Sequence, residues 1–307
     1  MNIRYASAIL ILGSLSAGCW SSPKATNDEP TANYRGSQNT GRNSTPKANS
    51  SPAANTNMND KPASGFTANL PQGFEQPADS VGKMLLKEYG SVFVARGGAV
   101  PPKKVVFQDE AEVATFQASL STTSETIGAH RLELQAAAMK ALQNAITEAK
   151  AKGMTISPRG ADSGKRTYGE TVSLWNSRVE PALKHWVAKG KMTSDDAARI
   201  RSLSTFEQVT EVFKLEAQGI YFAKDLSKSI IYSAAPPGTS QHLSMLAFDC
   251  AEFNKPEVRA ILAANGWYRT VASDLPHFTF LGVKESELPG LGLKKVENGG
   301  TFWVPDI

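Results

Sequence analysis

A chain of 307 residues, 41% hydrophobic and 20% charged, is long enough for one or two domains with a substantial core. Its net charge of +4 comes without a run of Lys and Arg interleaved with aromatics, which argues against nucleic-acid binding. Two cysteines, Cys19 and Cys250, are too few for a disulfide framework.

At the N-terminus, Arg4 precedes an apolar run over residues 5–15 that is too short for a permanent membrane span. Small residues follow, Ser16-Ala17-Gly18, and then Cys19. A charged start, a short apolar stretch and small residues predict a secretory signal peptide over residues 1–19. The residues ahead of Cys19 resemble a bacterial lipobox, which implies lipidation of Cys19 and anchoring at a bacterial cell envelope. Leu15 lies one place further from the cysteine than the usual lipobox leucine, and cleavage after Gly18 without lipidation is the alternative. Residues 20–69 are rich in Ser, Thr, Asn, Pro and Ala, with few large apolar groups to offset the entropy of ordering. They are expected to form a disordered tether with a reach of roughly 40 Å.

Residues 70–124 are expected to form an N-terminal extension packed on the main domain, and no chemistry is evident in them. Helices are predicted at 81–89 and 109–120, with short strands at 91–95 and 104–107. The main domain, 125–307, is expected to open with a long helix over 125–152, with Met139, Leu142, Ile146 and Ala149 on its apolar face. A strand at 154–157 follows. Thr167 and Glu170 make a T-x-x-E capping box, so a helix should start at Tyr168 and bury Tyr168, Val172, Trp175, Val179, Leu183 and Trp186. Thr193 and Ser204 read as caps of two shorter helices, and 220–232 is mixed. A helix over 255–265 closed by Gly266, and strands at 277–283 and 301–304, complete an α+β domain: a small antiparallel sheet with flanking helices.

The chemistry concentrates in three short stretches. In PPGTSQHLSMLAFD, residues 236–249, His242 and Asp249 are seven apart. On a straight strand that odd separation puts them on opposite faces. Both can reach one ion only if His242 sits in a turn before the strand, or if a bulge intervenes. On spacing alone, His242 reads as a hydrogen-bonded structural histidine. In Asp274-Leu275-Pro276-His277 the proline suits a tight turn into a strand, and the aspartate alone reads as a surface turn residue. Arg166, just before the helix at Tyr168, favours an anion such as a carboxylate, with a solvated arginine as the alternative. Two imidazoles and two carboxylates are enough for a three-ligand zinc with a spare base. His130 and His185 fall in predicted helices outside these stretches. Cys250 should face away from Asp249 as a buried thiol.

The three stretches together resemble VanY-type D-alanyl-D-alanine carboxypeptidases, zinc peptidases of peptidoglycan. PGTSQHLSMLAFD is similar to the family's S-x-H-x-x-G-x-A-x-D signature, DLPHFTFLG to its E-x-W-H segment, and SGKRTYGETVSLW to its S-G-Y-R-S-Y segment. The likeness covers roughly residues 125–282. It implies Zn2+ held by His242, Asp249 and His277, substrate contacts from Ser240 and Arg166, and Asp274 as general base. It also implies peptidoglycan peptides as the partner; the composition points to no nucleic acid, and the oligomeric state is open, with a tethered monomer as the default. Two departures stand out: Met245 replaces the family glycine, and Asp274 replaces its glutamate, one methylene longer. They leave a second reading open, a non-catalytic peptidoglycan-binding lipoprotein with a degenerate pocket.

Overall fold

The computed structural model describes residues 65–307; the expected signal peptide, Cys19 and the tether as far as residue 64 lie outside the described residues. The first described element is a single helical turn, α1 (Gly65–Ala68), whose Phe66 is fully buried, so the last residues expected in the tether belong to the body. Helix α2 (Ser80–Tyr89) is capped by Asp79, which accepts from the Gly82 N–H, and buries Leu85, Leu86 and Tyr89. A 3-10 helix, Gly90–Val94, follows where a strand was expected; all five residues are buried. The other expected strand, 104–107, is reduced to one bridge between Glu75 and Lys104. Helix α3 (Glu110–Ala118) starts at its Asp109 cap, as anticipated.

The predicted helix over 125–152 is two things. Strands β1 (Thr122–Ile127) and β2 (His130–Gln135) form an antiparallel hairpin, and the helix proper, α4, is Ala136–Ala151. Gly128, at φ +60°, leads the two-residue turn, the place that favours glycine in a hairpin. His130 is therefore a strand residue. Residues 154–157 form no strand, and Pro158 makes only a bridge to Cys250.

Helix α5 (Tyr168–Ala188) begins where its capping box predicts, with Thr167 and Glu170 satisfying each other's backbone N–H. Its buried face is Thr171, Trp175, Val179, Ala182 and Leu183, slightly rotated from the expected one: Tyr168, Val172 and Trp186 are only half-buried. Helices α6 (Ser194–Ser202) and α7 (Thr205–Glu216) also start in capping boxes, at Thr193 and Ser204. These three helices enclose a core of their own, built on Trp175, Leu183, Ile200, Val212, Phe222 and Ile230.

The central sheet comes from the C-terminal third: β3 (Ala247–Asp249), then helix α8 (Pro256–Ala264), β4 (Trp267–Tyr268) and β5 (His277–Phe280). All pairings are antiparallel, with β5 between β3 and β4. A last hairpin joins β6 (Leu293–Glu297) to β7 (Thr301–Pro305). The architecture is α+β. Its main core runs from Phe66 and Leu85 through Met139 and Leu142 to Phe248, Trp267, Phe278 and Trp303. No described helix is long and apolar enough to cross a membrane.

Candidate metal centre

Strand register brings the first two groups together. Asp249 pairs with His277 across the β3–β5 ladder, and directly opposed residues of an antiparallel pair point to the same face. His277 Nδ1 lies 3.2 Å from Asp249 Oδ1. His242 arrives from the turn its odd spacing requires. It sits in a 3-10 helix, Gln241–Ser244, after which Met245 takes up left-handed backbone (φ 58°, ψ 26°) and turns the chain into β3. His242 Nε2 ends 3.3 Å from the same Asp249 Oδ1. Upstream, Gly238 at φ +80° holds the turn after the two prolines, where a Cβ would strike the Phe107 carbonyl oxygen.

Hydrogen bonds fix which nitrogen each ring presents. His242 Nδ1–H donates to the Gly164 carbonyl at 2.6 Å, which leaves an Nε2 lone pair that is buried and has no partner. His277 Nε2–H donates to Gln241 Oε1 at 2.9 Å, leaving the Nδ1 lone pair on the Asp249 side. Gln241 is oriented in turn by its Nε2–H, which donates to the Tyr89 carbonyl at 2.8 Å, and by the hydroxyls of Thr270 and Thr279 on Oε1. Two imidazole lone pairs and a carboxylate oxygen thus converge, the three side chains offering atoms within 4.8 Å of one another. Three acceptors this close repel unless a cation lies among them. Burial pulls the His242 pKa down and favours the neutral ring. For Asp249, burial acts to raise the pKa, but positive charge beside it, as on a protonated His242 or His277, outweighs it and holds the carboxyl well below the usual range, so the carboxylate suits a cation at this point.

The segment 163–166 is the back plate of this cluster. Asp249 N–H donates to the Ser163 carbonyl at 3.0 Å, the Gly164 carbonyl holds His242, and Arg166 Nη2 reaches Asp249 Oδ2 at 2.8 Å. Arg166 Nε donates to the Asp162 carbonyl. Gln117, from α3, donates to the carbonyls of both Arg166 and Leu243 and so ties the plate to the His242 turn.

One cavity of about 280 Å³ opens over the cluster, and His242, His277, Ser240, Arg166 and Asp274 all line it. Asp274 is exposed at the rim, in a turn closed by the His277 N–H on its own carbonyl. Three further residues belong here that the sequence reading passed over. Gln241 lay inside the motif as a polar neighbour of the ligand. Arg159 lines the cavity with its guanidinium 5.9 Å from the Phe253 ring centre and carries no ion pair among the described residues. Tyr89 comes from α2, and no pattern pointed to it. His130 and His185 take no part, His185 standing edge-on to Trp186. Cys250 is fully buried, its thiol pushed up to about 12 by burial, as expected of an inert core thiol.

No family model and no curated protein matches the chain. Among solved structures it is similar to a zinc-bound variant of the VanY D,D-pentapeptidase from a VanB-type vancomycin resistance cassette. The two are 18% identical over 54% of this chain and 82% of that one, with a TM-score of 0.30. That overlap is too loose to establish a common fold.

The donor set decides what fits. Two neutral imidazole nitrogens and one carboxylate oxygen, with a cavity on the open side, match a zinc site that keeps a position for water or substrate. The partners on the far nitrogens, Gly164 O and Gln241 Oε1, are the usual means of fixing such ligands.

Proposed function

We propose that the protein is a zinc-dependent peptidase hydrolysing D-alanine-containing peptide bonds of peptidoglycan, as a D-alanyl-D-alanine carboxypeptidase does. One observation carries this reading: the buried, otherwise unpartnered Nε2 of His242 converges with His277 Nδ1 on Asp249 Oδ1 beneath a cavity lined by cations and a rim carboxylate. Zinc held by His242, Asp249 and His277 would polarise the peptide carbonyl and acidify water. Asp274 is the base that takes the water's proton and returns it to the leaving amine. Ser240 and Arg166 hold the peptide. Arg159, which makes no ion pair among the described residues, adds a second guanidinium suited to a terminal carboxylate. The features of residues 1–19 support export, with Cys19 as the lipid anchor at a bacterial envelope.

Two measurements test the proposal together. Purified protein should hold about one zinc per chain, lost in His242→Ala. It should release D-alanine from a muropeptide ending in D-Ala-D-Ala, and Asp274→Ala should stop that release. A protein that takes up no zinc on reconstitution would sink the enzyme reading. Binding to sacculi with their muropeptide profile unchanged would favour a non-catalytic wall-binding protein.

A further inference from the structure

Tyr89 is the last residue of α2, in a part of the chain where the sequence suggested no chemistry. It nevertheless lines the same cavity as His242, His277 and Asp274. The residue is 4% exposed, and its hydroxyl has no hydrogen-bond partner among the described residues. The hydroxyl is not among the fully buried unpartnered atoms, which leaves it reachable from the cavity that the residue lines.

Its position is tied to the metal cluster. The Tyr89 carbonyl accepts from Gln241 Nε2, and the same Gln241 receives the His277 ring N–H. Behind it, Ser91 Oγ donates to the Trp303 carbonyl at 2.9 Å and fastens the chain after α2 to β7. Carboxylates flank the ring. Glu88 precedes it and accepts from Ser273 Oγ at 3.3 Å, and Asp274 follows Ser273 on the cavity rim. Burial, then the charges of Glu88 and Asp274, push the Tyr89 hydroxyl well above its ordinary value. The group therefore keeps its proton at any working pH and can act as a donor with no acceptor of its own.

We propose that Tyr89 is a hydrogen-bond donor of the catalytic cavity, directed at the substrate oxygen that becomes negative when the peptide carbonyl is attacked. This rests on the peptidase reading above. A fixed donor at such an oxygen needs no reorganisation as charge develops. It also gives the N-terminal part of the described chain a share in the chemistry, since the donor lies outside the three motif stretches.

The test is Tyr89→Phe, which removes one oxygen and keeps the ring. With zinc content and melting temperature unchanged, kcat for D-alanine release should fall on the order of 10²-fold, with KM within about threefold. The acid limb of the pH profile should not move; a shifted limb would mean that Tyr89 acts by holding Asp274 and would overturn the assignment. Independently of turnover, a phosphinate isostere of D-alanyl-D-alanine should bind zinc-loaded Tyr89→Phe on the order of tenfold or more weakly than the unaltered protein. Equal phosphinate affinity overturns the proposal. If the unaltered protein releases no D-alanine, the peptidase reading falls, and the phosphinate titration still decides for or against Tyr89 as a donor.

Discussion

Gln241 is 3% exposed and uses both ends of its amide on the site, Nε2 on Tyr89 and Oε1 on His277. Truncating it would leave the His277 Nε2–H without an acceptor and the ring free to present either nitrogen. Loss of such a partner typically costs 10- to 100-fold in metal affinity. Gln241→Ala should therefore weaken zinc binding by about that factor in a chelator competition, with secondary structure intact; unchanged affinity would show that His277 is oriented by packing alone. This interaction marks a boundary of what residues in a row can reveal. His242, Asp249 and His277 were legible as a set through their motif. The bonds that choose their tautomers were not, because one acceptor is a backbone carbonyl, at Gly164, and another answers to the carbonyl of Tyr89. A sequence carries no mark of which carbonyl will face which ring.

At the scale of elements, the passage from the 3-10 helix into β3 sets backbone strain against packing. Met245 stands where the signature that the sequence resembles has glycine, and the turn does use the left-handed conformation that glycine favours. A non-glycine residue there costs about 1–2 kcal/mol. The Met245 side chain is fully buried, and deleting a buried side chain of that size costs about 2–5 kcal/mol. Packing outweighs strain. Met245→Gly should destabilise the protein by roughly 1–3 kcal/mol in urea unfolding, and a gain in stability would show the strain to be dominant. The same competition of scales explains which elements could be read. Capped helices were plain, since Thr167, Thr193 and Ser204 announce their own starts. The β1–β2 hairpin was hidden. The alternation of Leu132 and Leu134 spans only a few residues and runs into the strong helical period that begins at Ala138 and Met139. The 3-10 helix Gly90–Val94 is a short apolar run buried throughout, and periodicity cannot separate that from a buried strand.

Among the described residues there are two main bodies of packing, one beneath the sheet and one among α5, α6 and α7. The second is closed by Glu216, whose carboxylate accepts from the N–H groups of Phe222 and Ile230 and from Ser229 Oγ. Burial raises its pKa, and these hydrogen bonds only partly offset the rise. A raised carboxyl binds its proton more readily folded than unfolded. Its stabilising share is thus present below the ordinary value of 4.5 and is lost as pH climbs through the raised one. At constant zinc, the stability of the unaltered protein relative to Glu216→Gln should fall as pH rises above about 4.5, by at most about 1.4 kcal/mol per pH unit. Urea midpoints between pH 4 and 7 measure this, and a difference that grows with pH would refute it. The back plate at 163–166 has a different consequence. The groups proposed to hold zinc lie between residues 242 and 277, while those that orient them sit near 89, 117 and 164–166. Such a centre has no half-built form. A chain cut short before β5, or one whose α2 has not yet docked, lacks either a ligand or the means to aim one. On the proposed peptidase reading, hydrolytic competence would then arrive only with completed folding, and unfinished copies would leave peptide bonds uncut.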